Sequence, residues 1–95
     1  PYPNKAAVTY EVSVPGAEQI AIYFAKFDTE ANYDFVELFD ANGVLVEKLS
    51  GKNDDSFSSP VKGNYLKIVL KSDNSVNKYG FDITKIAYKN AASNP

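Results

Sequence analysis

The sequence predicts an all-β protein, an antiparallel β-sandwich of jelly-roll type. Three observations carry that expectation. Apolar residues recur with a period of two rather than 3.6. Gly, Pro, Asn and Asp cut the chain into six or more short apolar runs. No longer stretch shows helical spacing, so turns and strands account for the whole pattern.

The elements follow in order. Val8, Tyr10, Val12 and Val14 alternate with Thr9, Glu11 and Ser13, which predicts a half-buried strand stopped by the turn Pro15-Gly16. Ile20, Ile22 and Phe24 form a second strand. Tyr33 to Asp40 form a third, with Val36 and Leu38 on one face and Phe35, Glu37 and Phe39 on the other. Ala41-Asn42-Gly43 predicts a hairpin into Val44 to Leu49, because Asn-Gly tolerates the positive φ of a tight turn. The stretch from Ser50 to Ser59 is polar and reads as loop, including the acidic pair Asp54-Asp55. After Lys62-Gly63-Asn64, Leu66, Ile68 and Leu70 share a strand face, and a last strand runs from about Gly80 to Tyr88. Lys67 and Lys71 alternate with those apolar residues, as solvent-facing lysines on a sheet do.

Composition excludes much chemistry. The chain has 95 residues, enough for one domain, and 44% of them are hydrophobic, enough for a packed core. It has neither Cys nor His. Disulfides, thiolate catalysis, a Ser-His-Asp arrangement and ordinary zinc ligation are therefore absent. All ten basic residues are Lys, and the net charge is −2. Without Arg or a basic cluster, nucleic-acid binding is not expected. No apolar run approaches the length of a membrane span, and no signal peptide is visible. The chain opens at Pro1 without Met and closes on Ala91-Ala92-Ser93-Asn94-Pro95, so residues 1–90 read as a module of a longer protein and 91–95 as a tail or linker.

One pattern does carry chemistry. Phe27-Asp28-Thr29-Glu30-Ala31-Asn32-Tyr33-Asp34 and Ser72-Asp73-Asn74-Ser75 are acidic segments about forty residues apart, each at the end of a strand-like run. If the strands are neighbours, Glu30, Asp34 and Asp73 can converge on one hard cation. Calcium takes six to eight oxygens and accepts mixed carboxylate, carbonyl and water shells. A cation also removes the mutual repulsion of clustered carboxylates. Asp28 and Asp40 flank the third strand and can support that shell or bind loop amides.

The residues together resemble a CUB domain. The resemblance rests on Tyr2-Pro3-Asn4, Tyr10 to Val14 with Pro15-Gly16, Ile20 to Phe24 and Phe27-Asp28-Thr29-Glu30. It continues through Tyr33-Asp34-Phe35-Val36, Leu49-Ser50-Gly51, and Ser72-Asp73 with Gly80-Phe81. It spans nearly the whole chain. The cysteine pairs of animal CUB domains are missing, Tyr10 stands where a Trp is usual, and the segment between Glu30 and Asp34 is short. These departures suggest a bacterial or archaeal CUB-like module. The resemblance implies a calcium site held by Glu30, Asp34 and Asp73, completed near Asn74 or Ser75, with Tyr2 supporting the acids. It also implies a non-catalytic accessory module of a secreted, extracellular protein such as a protease. Such a module binds a protein or surface ligand or stabilises its neighbouring domain.

Two other readings remain open at this level. Tyr23, Tyr33, Tyr65 and Tyr79 are candidates for exposed rings, and a planar row of them, with Tyr33 and Tyr79 in it, would suit a carbohydrate-binding module. Catalysis is the weakest reading, because Ser56, Ser58 and Ser59 have no base and the acids have no evident cleft.

Overall fold

A computed structural model of the chain describes residues 7–72 and 79–90. Those residues form eight strands and no helix: β1 (Ala7–Ser13), β2 (Ala17–Asp28), β3 (Phe35–Phe39), β4 (Leu45–Leu49), β5 (Ser56–Phe57), β6 (Val61–Lys62), β7 (Tyr65–Lys71) and β8 (Gly80–Asn90). One sheet has the order β1-β7-β3-β4. In the other, β2 is central, with β8 along one side and the short β5 and β6 along the opposite side. Every pairing is antiparallel. This is the expected β-sandwich.

Period-two alternation builds the core. Val36 and Leu38 point inward from β3, and Leu66, Ile68 and Leu70 from β7. Ile20, Ile22 and Phe24 meet them from β2. β2 then runs beyond Phe24 to Asp28, further than alternation alone indicates. Strict alternation after Phe24 would turn Lys26 inward and Phe27 outward. Register shifts on either side of Phe24 reset the pleat. Phe27 is consequently fully buried, edge-on to Phe24 at 5.1 Å, while Lys26 faces solvent.

The expected hairpin forms with Gly43 at φ 79°, although its second strand begins at Leu45. The polar stretch 50–59 is not simply loop: it contains β5, and β6 follows at Val61. Two-residue strands are too short to leave a period. Asp54 and Asp55 are also fixed rather than loose. Asp54 Oδ1 accepts the Phe27 N–H at 2.8 Å, and Asp55 accepts the Tyr23 hydroxyl at 3.0 Å.

Candidate functional site

The acidic segment between β2 and β3 is a tight turn. The Glu30 carbonyl accepts the N–H groups of Tyr33 at 3.2 Å and Asp34 at 2.9 Å. Asn32, at φ 68°, takes the left-handed conformation that lets so short a turn close. Glu30 and Asp34 therefore stand at the two ends of one turn.

Thr29 locks that turn to the rest of the fold. It is 2% exposed. Its N–H donates to the Gly51 carbonyl at 2.9 Å, its hydroxyl donates to the Asp34 carbonyl at 3.1 Å, and the same hydroxyl accepts the Gly51 N–H at 3.0 Å. Asn53 N–H donates to the Phe27 carbonyl at 3.0 Å. Two sequence motifs, Phe27-Asp28-Thr29-Glu30 and Leu49-Ser50-Gly51, thus meet in space. Gly51 holds φ 81°, which a side chain would strain.

Asp34 is fully buried immediately before β3. A buried carboxylate is costly unless it is well paired or bound to a cation. Phe35 pairs with Lys71 in β7, and Asp28 pairs with Gly80 in β8. The described residues on both sides of 73–78 are therefore anchored at the end of the sandwich that carries Asp28, Glu30 and Asp34. Asp73, Asn74, Ser75 and Tyr2 lie outside the described residues. Among the described residues no three acids group closely enough to hold a metal. Two of the three carboxylates expected as ligands, Glu30 and Asp34, share the turn.

Asp40 does not join them. It follows β3 at its far end, six residues from Asp34, or about 20 Å at the usual strand rise. Its Oδ1 accepts the N–H groups of Asn42 at 2.9 Å and Val44 at 3.0 Å. Of the two roles expected for Asp40, the structure realises the binding of loop amides.

The four tyrosines named as candidates for exposed rings stand in different surroundings. Tyr33 is 65% exposed, beside the acidic turn. Tyr79 donates its hydroxyl to Asp82 at 2.7 Å, and Lys26 lies 3.9 Å above its ring. Tyr23 meets Phe57 at an interplanar angle of 62° with Lys85 over its ring, and Tyr65 donates to Glu11 at 2.6 Å. The hydrogen bonds to carboxylates push the pKa of Tyr23, Tyr65 and Tyr79 above the ordinary 10.0, helped by partial desolvation and the nearby negative charge.

Sequence reasoning had no role for Ser58, except to dismiss it as a nucleophile. It is 5% exposed and stands in the gap between β5 and β6. Its N–H donates to the Ile22 carbonyl at 2.8 Å, and its hydroxyl accepts the Ile22 N–H at 3.0 Å. Ser58 thus completes the edge of β2 as a structural residue.

Comparison with known proteins agrees with this fold. The CUB domain sequence model matches residues 1–85. The chain is 32% identical over 91 residues to a zinc metalloproteinase, nas-39, of Caenorhabditis elegans, covering 90% of this chain and 9% of that protein. It is 28% identical over 93 residues to human mannan-binding lectin serine protease 1, covering 85% of this chain and 13% of that protein. The chain thus spans about a tenth of the length of these curated relatives. Among solved structures, the crystal structure of the MASP-1 CUB2 domain bound to Ca2+ superimposes with a TM-score of 0.67 at 19% identity, over 94% of this chain and 81% of that one. These relatives are animal proteins, so the suggested bacterial or archaeal origin finds no support. CUB domains are non-catalytic modules of larger multidomain proteins, including proteases, and their homologues are mostly extracellular or secreted. No helix among the described residues is long and apolar enough to cross a membrane. A matching family model over most of the chain, a β-sandwich with the same architecture and the meeting of the quoted motifs lead to one conclusion: this chain belongs to the CUB domain family.

Proposed function

We propose that this chain is a calcium-stabilised accessory module of a secreted protein, and that its acidic end binds a protein partner or stabilises the neighbouring domain. In this reading residues 1–90 form the module and 91–95 a tail or linker. The observation that carries the proposal is the fully buried Asp34, paired with Glu30 across one locked turn. Their oxygen-only donor chemistry suits a hard cation. Asp73, Asn74 and Ser75 are the proposed remaining donors, with Asp28 and Tyr2 in support. The MASP-1 CUB2 domain is bound to Ca2+ in its crystal structure, which favours the same cation here. When bound, calcium neutralises the acids and ties the β2–β3 turn to the segment after β7. A cysteine-free sandwich of this size gains from such a staple. A calcium-ordered acidic patch also has the electrostatics to receive a partner's Lys. The edge-on and Lys-covered rings favour a protein partner over a glycan.

The test is thermal unfolding with calcium and with EDTA, together with native mass spectrometry. At a calcium concentration of about 100 Kd the stabilisation is about 2.7 kcal/mol. Asp34→Asn should abolish the calcium-dependent rise in Tm, and the more exposed Glu30→Gln should reduce it without unfolding the chain. An identical Tm with and without EDTA, with no calcium mass adduct, rejects the reading.

A further inference from the structure

The hairpin tip between β3 and β4 carries the one Asn-Gly step of the chain, Asn42-Gly43. That step is chemically labile for a steric reason. Once deprotonated, the peptide nitrogen after an Asn can attack that residue's side-chain carbonyl carbon, and Gly has no Cβ to shield it. Space permits the attack here. Asn42 and Gly43 are exposed, and a Cβ placed on Gly43 would meet nothing within 4 Å. Among the described residues no hydrogen bond holds the Asn42 side-chain amide, whereas the Asn53 amide donates to the Ser50 carbonyl at 3.0 Å. Asn32 and Asn64 are each followed by Tyr, whose side chain crowds the nitrogen.

The backbone of the tip opposes the reaction. The Gly43 N–H, which holds the attacking nitrogen, donates to the Asp40 carbonyl at 3.1 Å. The Asp40 side chain fixes the chain on both sides of Gly43: its Oδ1 accepts the N–H groups of Asn42 at 2.9 Å and Val44 at 3.0 Å. The Asp40 N–H in turn donates to the Val44 carbonyl at 3.0 Å. Asp40 therefore brackets the Asn42-Gly43 peptide, and the nitrogen is released only when the tip opens.

We propose that Asn42 is a deamidation site whose rate Asp40 sets by clamping the hairpin tip. In the open tip a base takes the Gly43 N–H proton. The nitrogen bonds to Asn42 Cγ, the Cγ–Nδ2 bond breaks, and Nδ2 leaves as ammonia after regaining a proton. Water then adds to either carbonyl of the resulting succinimide ring. One opening gives an aspartyl form, the other an isoaspartyl form whose main chain runs through Cβ and Cγ. Water is the only reactant consumed. The isoaspartyl form adds a methylene to the main chain inside the bracket, so the hydrogen bonds to and from Asp40 cannot all close.

The 95-residue chain itself serves for the experiment. It is incubated in mildly alkaline buffer, and deamidation is located by peptide mass mapping. Synthetic peptides of residues 38–46 provide the unclamped reference, and each rate is divided by that of the peptide of the same sequence. Asn42 should react ahead of every other Asn, yet about tenfold or more slowly than in its peptide. That suppression should match the hydrogen-exchange protection of the Gly43 amide within about threefold, because one opening releases the same nitrogen. Asp40→Ala removes the Oδ1 acceptor of two hydrogen bonds and should speed the reaction about tenfold. Asp40→Asn retains an acceptor there and should stay within about threefold of the parent. Another Asn reacting first, equal rates in chain and peptide, or suppression unrelated to Gly43 protection overturns the proposal. So does Asp40→Ala reacting no faster than the parent, or Asp40→Asn reacting as fast as Asp40→Ala.

Discussion

Thr29 shows how one side chain can organise the acidic turn. Its hydroxyl both donates, to the Asp34 carbonyl, and accepts, from the Gly51 N–H. Replacing it by the isosteric Val keeps the volume and leaves both backbone groups unpaired in a buried place. Thr29→Val should lower stability by about 1–3 kcal/mol. The measurement is urea denaturation, with the midpoint falling and the slope unchanged. A midpoint equal to the parent's would mean that water or a rearranged turn satisfies those groups. The sequence made Thr29 and Gly51 visible as members of two motifs. It could not display their partnership, because a side-chain hydrogen bond spanning 22 residues leaves no periodic trace. Asp34 was legible as an acid at a strand end, whereas its complete burial depends on how the two sheets stack.

Among the elements, β1, β3 and β7 were legible because apolar residues recur at alternate positions along one face of each, even though Glu37 and Val69 on the opposite face are buried as well. β2 was legible only up to Phe24, since its bulge breaks the period while preserving the buried face. β5 and β6 were hidden for another reason. They cover β2 at Tyr23–Phe24 and at Gln19–Ile20, leaving Ile22 between them. Ser58 bridges that gap with its own N–H and hydroxyl. Ser58→Ala keeps the first bond and removes the second, stranding a buried N–H at a cost of about 1–3 kcal/mol. Hydrogen exchange provides the local measurement. The Ile22 amide should exchange much faster in the variant, while the amides of the β1–β7 ladder retain their protection up to the lower global stability. Equal Ile22 exchange in parent and variant would show that the hydroxyl contributes nothing to this edge.

Across the molecule, among the described residues, four lysines lie over aromatic rings and three pair with carboxylates. On the outer face of the first sheet, Lys48 lies 4.1 Å from the Phe35 ring centre and Lys67 lies 5.0 Å from that of Phe39. Lys71 approaches Glu37 at 2.9 Å, an ionic contact without hydrogen-bond geometry, since that oxygen has no hydrogen-bond partner. The carboxylates of Asp55, Glu11 and Asp82 instead accept the hydroxyls of Tyr23, Tyr65 and Tyr79. These three pairs tie loops and strand ends to the sheets, and they give the fold an alkaline limit. Each bond needs a neutral phenol, so folding raises the phenol pKa. A group whose pKa is raised by folding stabilises the native state fully below its unfolded value and loses that stabilisation as pH climbs through the folded value. Stability should therefore hold steady up to the ordinary tyrosine value of 10.0 and decline above it, where ionised Tyr and its carboxylate partner repel. Phenolate absorbance, titrated in native and urea-unfolded protein, measures this directly. The native curve should lag the unfolded one on the alkaline side, and Tyr65→Phe should remove part of the lag because the Glu11 partner then has no phenol to hold. Superimposed native and unfolded curves would mean that solvent, rather than the carboxylates, sets these pKa values.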